Sequence, residues 1–156
     1  FAFSGVHRRF DYQVRNSEVV YIDDYAHHPE ELKATILSAK ELYPGRKILG
    51  IFQPHLYTRT RDFADGFGSS LSLLDELLLL DIYPARELPI EGVTSEMILN
   101  RVTIPAKGIV SKSDLVAQVL KSDASIVLTL GAGDIDTLVN PLKSALETKF
   151  QITTAG

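Results

Sequence analysis

The segment DDYAHHP, residues 23–29, places two carboxylates and two imidazoles directly after an apolar stretch, residues 19–22. Carboxylates accept hydrogen bonds from hydroxyl groups, and imidazoles donate and accept near neutral pH, so this composition suits the binding of a polar ligand. Pro29 suits the first turn of a helix, and Glu30 and Glu31 suit the positive end of the helix dipole. The segment is therefore predicted to be a strand-to-helix turn, which in an open α/β sheet lies at the ligand-binding edge.

The adjacent acids and the adjacent histidines each have two interpretations. An extended backbone directs Asp23 and Asp24 to opposite faces, so only one should reach the ligand edge, and either could instead cap a helix. His27 and His28 do not predict a metal centre, because neighbouring imidazoles rarely converge on one ion and the chain has no cysteine. We assign no metal ligand to this domain and interpret His27 as a hydrogen-bonding partner of a ligand.

A second polar loop, residues 53–61, follows the apolar strand predicted over residues 47–52. It carries His55, Arg59 and Arg61, and an arginine fork matches the two oxygens of a carboxylate or phosphate. Arg8 and Arg9 offer the same chemistry near the start of the chain. All these arginines could equally be solvated, but polar loops that follow parallel strands converge at one sheet edge.

The apolar pattern predicts the elements that position these loops. Strands are predicted over residues 10–14, 18–22, 47–52, 76–82, 102–104 and 125–130. Helices are predicted over residues 29–43, 63–74, 94–101 and 115–120, and from residue 135 onward with a kink or break at Pro141. The fold class is therefore α/β, with a mostly parallel sheet, helices on both faces, three layers and an N-terminal antiparallel hairpin.

Composition limits the functional classes. A chain of 156 residues, 45% of them hydrophobic, is sized for one domain, and its net charge of −4 disfavours nucleic-acid and anionic-membrane partners. The lack of cysteine fits a cytoplasmic location, and the apolar runs are too short to span a bilayer. The chain starts at Phe1 inside a motif, so we expect residues 1–156 to be one domain excised from a longer protein.

Several familiar motifs are missing from the sequence. It has neither the G-x-x-x-x-G-K-[ST] phosphate loop nor the dinucleotide fingerprint G-x-G-x-x-G. The turn Gly131-Ala132-Gly133 allows either close packing or the approach of a nucleotide. No Ser-His-Asp set is identifiable, and no catalytic residue is assigned to this domain.

Five segments, taken in order, resemble the C-terminal domain of the Mur ligases: GVHRRF at 5–10, DDYAHHP at 23–29, FQPHLYTRT at 52–60, PIEG at 89–92 and GAGDI at 131–135. The resemblance implies a Rossmann-like C-terminal domain of a three-domain enzyme of bacterial peptidoglycan synthesis that uses ATP and Mg²⁺. In that family the central domain holds the phosphate loop and the metal ligands, and the N-terminal domain holds the UDP-sugar.

The resemblance is strongest to those members that join L-alanine to UDP-N-acetylmuramate through an acyl phosphate. It implies that this domain closes over the substrates and is inactive alone, because positioning and charge stabilisation are its contributions. Its partners would be these small molecules and the N-terminal and central domains of its own chain.

The resemblance also implies residue roles. Arg9, Asp24 and His27 would face the nucleotide, where Asp24 would accept hydrogen bonds from ribose hydroxyls. His55 and Arg59 would border the amino acid, with its carboxylate on Arg59. Leu56 departs from the arginine that the family often has there, so Arg61 would share that carboxylate.

Three alternatives remain. A related ligase that recycles whole peptides onto the UDP-sugar shares the Asp-His-His-Pro segment, but FQPH followed by Thr-Arg-Thr is not expected there. A non-catalytic α/β binding module would keep the fold without the chemistry. A dinucleotide-dependent oxidoreductase is disfavoured by the missing fingerprint.

Overall fold

A computed structural model describes residues 8–155, with side chains described as far as residue 150. Residues 5–7 of the first motif lie outside the described residues. Six strands form one sheet in the order β1-β2-β6-β3-β4-β5. They are β1 (Asp11–Arg15), β2 (Val20–Asp24), β3 (Ile48–Phe52), β4 (Glu76–Leu79), β5 (Lys107–Ile109) and β6 (Ile126–Leu130).

The register of the sheet brings the polar loops together. Strand β1 pairs antiparallel with β2, which confirms the predicted N-terminal hairpin. All other neighbours pair in parallel: β2 with β6, β6 with β3, β3 with β4, and β4 with β5. The carboxyl ends of the parallel strands therefore share one edge with the start of β1, and we call this the ligand edge.

Helices cover both faces of the sheet. They are α1 (Pro29–Leu42), α2 (Tyr57–Leu71), α3 (Ser95–Leu99), α4 (Leu115–Lys121) and α5 (Val139–Ala155), with a 3-10 turn (Asp134–Leu138) leading into α5. One apolar core lies under α1, α2 and α3, with Leu32, Ile36, Phe67, Leu71 and Ile98 among its buried residues. The second core lies under α4 and α5, with Leu115, Val119, Leu142 and Leu146. The predicted α/β fold with three layers is confirmed.

Some predicted boundaries were wrong. Helix α2 begins at Tyr57, inside the segment predicted to be a loop, and its backbone departs from helical geometry at Phe63. The last edge strand is Lys107–Ile109, not residues 102–104, because these residues pair with β4 although two of the three are exposed. Strand β4 ends at Leu79, three residues before the predicted end. The predicted break near Pro141 is confirmed, because the 3-10 turn gives way to α5 at Val139.

None of the helices in the described part of the chain combines the length and the apolar character that a bilayer-spanning helix requires.

The glycine turn after β6 is tightly packed against its neighbours. Gly131 has φ +142°, and a Cβ there would lie 2.9 Å from the carbonyl oxygen of Gln53. A Cβ on Gly133 would lie 2.5 Å from Oε1 of Gln53 and 2.7 Å from Cβ of Tyr83. Of the two interpretations of this turn, the structure supports close packing.

Replacing Gly133 with alanine is therefore expected to lower the free energy of unfolding by about 1–3 kcal/mol, the usual cost of overpacking a core. The oxygen of Gln53 cannot retreat cheaply, because it accepts a hydrogen bond from the backbone N–H of Ile135 at 2.9 Å. Urea unfolding measures the change. Gly108→Ala is the control, since nothing lies within 4 Å of its added Cβ; equal unfolding midpoints for the two variants would contradict the packing role.

Candidate functional site

The carboxylate of Asp23 is buried and accepts hydrogen bonds from side chains of the domain itself. Arg8 donates to it from Nε at 2.8 Å and from Nη2 at 3.2 Å, and Thr129 donates from Oγ1 at 2.7 Å. Because Thr129 gives its only proton to Asp23, the hydroxyl of Tyr21 donates to Thr129 at 2.9 Å. Burial raises the pKa of Tyr21, which keeps this phenol neutral. Asp23 is thus a structural anchor between the N-terminal segment and β6.

Asp24 faces the opposite side of the sheet, as the extended backbone predicted. Its Oδ2 accepts from the backbone N–H of Phe10 at 2.9 Å and from Oγ1 of Thr35 at 3.2 Å, and its Oδ1 accepts from the backbone N–H of Ala26 at 2.9 Å. Only 3% of Asp24 is exposed. It nevertheless borders an open groove of about 430 Å³, whose other lining residues are Arg9, Phe10, Ala34, Thr35, Ser38 and Leu42.

Glu31 connects Arg9 to the histidine pair. Its Oε1 accepts from the backbone N–H groups of His27 and His28, each at 3.1 Å, and lies 3.4 Å from Nδ1 of His27. Its Oε2 lies 4.0 Å from Nη2 of Arg9. Burial alone would raise the pKa of Glu31, but the two backbone donors, then His27 and Arg9, lower it overall. Glu31 therefore stays charged at neutral pH and holds the start of α1.

His55, Arg59 and Tyr83 form a second group. Nη1 of Arg59 lies 3.0 Å from Nδ1 of His55, so the imidazole accepts there and carries its proton on Nε2. The His55 ring stacks on Tyr83, with centroids 5.7 Å apart and planes 11° apart. Burial, then the charges of Arg59 and His27, lower the pKa of His55. This imidazole is therefore neutral at physiological pH and able to accept from Arg59.

The two groups meet at the histidines. The rings of His27 and His55 lie 6.1 Å apart, edge to face, and the rings of His27 and His28 lie 4.8 Å apart. Burial, then the charges of Arg59 and His27, also lower the pKa of His28. The structure thus brings together five of the predicted site residues, Arg9, Asp24, His27, His55 and Arg59, along one edge.

Arg61 stands apart from this cluster. Nε of Arg61 pairs with Oδ1 of the neighbouring Asp62 at 2.8 Å, and both side chains are about half exposed, at 49% and 53%. No hydrogen bond or ion pair between Arg61 and either His55 or Arg59 is found in the described part of the chain, so its role on a substrate stays a prediction. Leu56 has φ +75° and directly precedes α2.

Sequence reasoning missed Tyr83 and Thr35. Tyr83 lies outside the elements and polar loops that the sequence singled out, although it follows β4 closely and the loops after parallel strands share one edge. Thr35 lies on the buried face of α1, where a threonine gives no sequence signal of a bond to Asp24. Within residues 8–155, no group of three histidine or acidic side chains is placed to hold a metal ion.

Comparisons with known proteins show which family the sequence and the fold of the chain belong to. The sequence model of the family described as "Mur ligase, glutamate ligase domain" matches residues 8–133. Two relatives, from Flavobacterium johnsoniae and Parabacteroides distasonis, are 57% and 60% identical over 93% and 92% of the chain. Both are named UDP-N-acetylmuramate–L-alanine ligase, and the chain spans 32% and 31% of their length.

Solved structures share the fold. A UDP-N-acetylmuramate–alanine ligase from Thermotoga maritima superposes with a TM-score of 0.71 at 28% identity, covering 91% of this chain and 30% of its own. A murein peptide ligase from Psychrobacter arcticus gives 0.70 at 20% identity, covering 89% of this chain and 30% of its own, and at that identity shows the fold alone. The resemblance drawn from the five motifs is confirmed: the chain belongs to the Mur ligase family and contains its glutamate ligase domain.

Proposed function

We propose that this chain is the C-terminal domain of a cytoplasmic, ATP-dependent ligase that joins L-alanine to UDP-N-acetylmuramate in peptidoglycan synthesis. The observation that carries the proposal is the meeting of two polar groups, one around Asp24 and one around Arg59, through the rings of His27 and His55. The names of the relatives supply the substrates. The other two thirds of such a protein would supply an N-terminal domain and a central domain.

The Asp24 side suits a nucleoside. Oδ1 of Asp24 accepts one hydrogen bond, from Ala26, and a carboxylate oxygen can accept a second one from a ribose hydroxyl. The groove beside it has apolar walls, including Ala34 and Leu42, that suit a base. Arg9 is half exposed at the same groove, with its guanidinium available to a phosphate.

The Arg59 side suits an amino acid. The guanidinium of Arg59 matches a carboxylate, and its bond to the neutral His55 fixes the direction of the fork. The stacked ring of Tyr83 holds His55 in turn. In this arrangement Arg59 holds the carboxylate of L-alanine, and Nε2–H of His55, for which the described residues provide no acceptor, can donate to a substrate oxygen.

ATP would supply the phosphoryl group that activates the muramate carboxylate, and Mg²⁺ would neutralise its phosphates. We assign the metal ligands and the phosphate loop to the central domain, as the resemblance to the Mur ligases implies; the loop motif G-x-x-x-x-G-K-[ST] does not occur in residues 1–156. What this chain contributes is the orientation of the nucleoside and of the attacking amine, and such positioning accounts for large rate effects.

The peptide-recycling ligase remains the second candidate. The solved murein peptide ligase shares the fold but only 20% of the sequence. The relatives that are named for L-alanine are far more similar to this chain. The two activities are distinguished by the amine that the enzyme prefers, L-alanine or a peptide.

Substrate dependence of turnover tests the proposal in the full-length protein. Phosphate release with ATP, Mg²⁺ and UDP-N-acetylmuramate should require L-alanine, and glycine, L-serine or a tripeptide should support it poorly. Arg59→Ala should raise the KM for L-alanine by about 10- to 100-fold, the loss expected for a charge-assisted bond. Asp24→Asn should instead raise the KM for ATP.

Arg61→Ala is the matched comparison, and its effect should be small because Arg61 pairs with Asp62. An effect equal to that of Arg59→Ala would show that Arg61 shares the carboxylate. Preference for the tripeptide would replace the proposal with the recycling ligase, and no turnover with any amine would support the binding module.

Histidine titration tests the electrostatics of the site. In NMR spectra of the full-length protein, His28 and His55 should titrate below the ordinary histidine value of about 6.5. Arg59→Gln should raise both pKa values, because it removes a positive charge that disfavours protonation.

The same titration has a consequence for stability. Both histidines have lower pKa values in the folded state than in the unfolded state. Their contribution to the free energy of unfolding is therefore fully present above the unfolded-state pKa, and it is lost as the pH falls through the folded-state pKa values. In the NMR experiment, Arg61→Gln is the control and should leave the pKa values of His28 and His55 unchanged. An unchanged His55 titration in Arg59→Gln would contradict the contact between these side chains.

A further inference from the structure

We propose that Glu87 is a positioning residue for His55 and Arg59, acting through the first turn of α2. The inference rests on the proposed function, in which Arg59 holds the carboxylate of the amino acid. Glu87 lies in the loop after β4 and makes no hydrogen bond or ion pair with His55 or Arg59 in the described part of the chain, although its negative charge partly opposes the lowering of the His55 pKa. Its effect is exerted on the helix that carries Arg59.

Helix α2 starts without a cap of its own. The residue before it, Leu56, has an apolar side chain and φ +75°, and the first turn contains no acidic residue. The first backbone N–H groups of any helix lack partners within the helix and require acceptors from elsewhere. In this chain the acceptor comes from 29 residues away: Oε1 of Glu87 accepts from the backbone N–H of Thr58 at 3.0 Å.

The second oxygen of Glu87 strengthens the contact. Oε2 of Glu87 accepts from Oγ1 of Thr58, so that one carboxylate holds both donors of a single residue. A negative charge at this end of a helix is also favoured by the helix dipole. The side-chain bond from Thr58 lowers the pKa of Glu87, and the carboxylate is charged at neutral pH.

The loop that carries Glu87 also holds His55. The backbone N–H of Tyr83 donates to the carbonyl of Pro54, and that of Leu56 donates to the carbonyl of Tyr83, each at 2.8 Å. The ring of Tyr83 stacks on His55. A turn from Pro84, closed by the N–H of Glu87 at 2.9 Å, then directs the chain back toward α2.

The loop therefore clamps His55 at one end and α2 at the other. Arg59 is the residue after Thr58, so release of Thr58 frees the backbone turn from which the guanidinium extends. His55 and Arg59 touch at a single 3.0 Å contact, which a small rotation of that turn would break. Displacements of about 1 Å at a substrate-positioning group are enough to change rates strongly.

Kinetics of the full-length enzyme test the proposal. Glu87→Gln, which keeps the shape and removes the charge, and Glu87→Ala should raise the KM for L-alanine about three- to tenfold, as expected for loss of a helix cap. The KM for ATP should stay within about twofold of the wild-type value, because the Asp24 side is independent of this loop. Glu87→Asp should restore part of the loss.

Two further variants separate positioning from general damage. Thr58→Val removes the hydroxyl partner and should act in the same direction, while the double variant with Glu87→Ala should be less than additive. Arg86→Ala changes the exposed neighbour of Glu87 in the same turn and should leave both KM values unchanged. Equal losses with L-alanine and ATP would indicate general destabilisation and would overturn the proposal.

A readout that needs no turnover separates this inference from the proposed function. The His55 ring resonance in the full-length protein, assigned with His55→Gln, should shift both in Glu87→Gln and in Thr58→Val, which keeps the charge of Glu87, and should stay in place in Arg86→Ala. A shift in Glu87→Gln alone would reflect only the loss of that charge and would overturn the positioning role. If the wild type shows no turnover with L-alanine, the proposed function fails and the resonance alone decides the role of Glu87. An unshifted His55 in Glu87→Gln would overturn the positioning role.

Discussion

Two buried carboxylates at the end of β2 fix the ligand edge. A buried charge is costly unless it is paired and hydrogen-bonded, so the partners of Asp23 and Asp24 cannot move away freely. Asp23 holds Arg8 and β6, whereas Asp24 holds the start of β1, the loop before α1 and α1 itself. The position of His27 follows from these bonds, because it lies between Ala26 and the first turn of α1.

The architecture could be predicted from the sequence because most elements carry more than one local indication of their type. Four of the parallel strands are apolar enough to recognise, and the acidic start of α1 agrees with its proline. Because the carboxyl ends of parallel strands lie at one edge of the sheet, the polar loops that follow them were expected to converge. This is why Asp24, His27, His55 and Arg59 could be predicted from the sequence to lie close together. The opposite directions of Asp23 and Asp24 followed from the two-residue period of a strand.

The errors lie where long-range contacts override local preference. The start of α2 could not be predicted, since Leu56 is no capping residue and the carboxylate that caps the helix lies far along the chain, at Glu87. Strand β5 has an exposed pattern and a glycine, and it is a strand because β4 offers it a free edge. The ion pair between Arg61 and Asp62 could not be predicted either, because the sequence of a polar loop does not determine which neighbouring group a charged side chain will contact.

A glycine-rich turn after a parallel strand can either bind a ligand or allow close packing, and the turn at residues 131–133 has the packing role. Glycines after a parallel strand often let a phosphate approach the backbone. Here the space beside Gly131 and Gly133 is taken by Gln53 and Tyr83, and the carbonyl of Gly131 accepts from Nη2 of Arg8 at 3.2 Å. The turn thus packs against Tyr83, whose ring stacks on His55, which makes it part of the group that we propose for the amino acid. This packing role of the turn is compatible with the proposal that the phosphate loop belongs to the central domain of the full-length ligase.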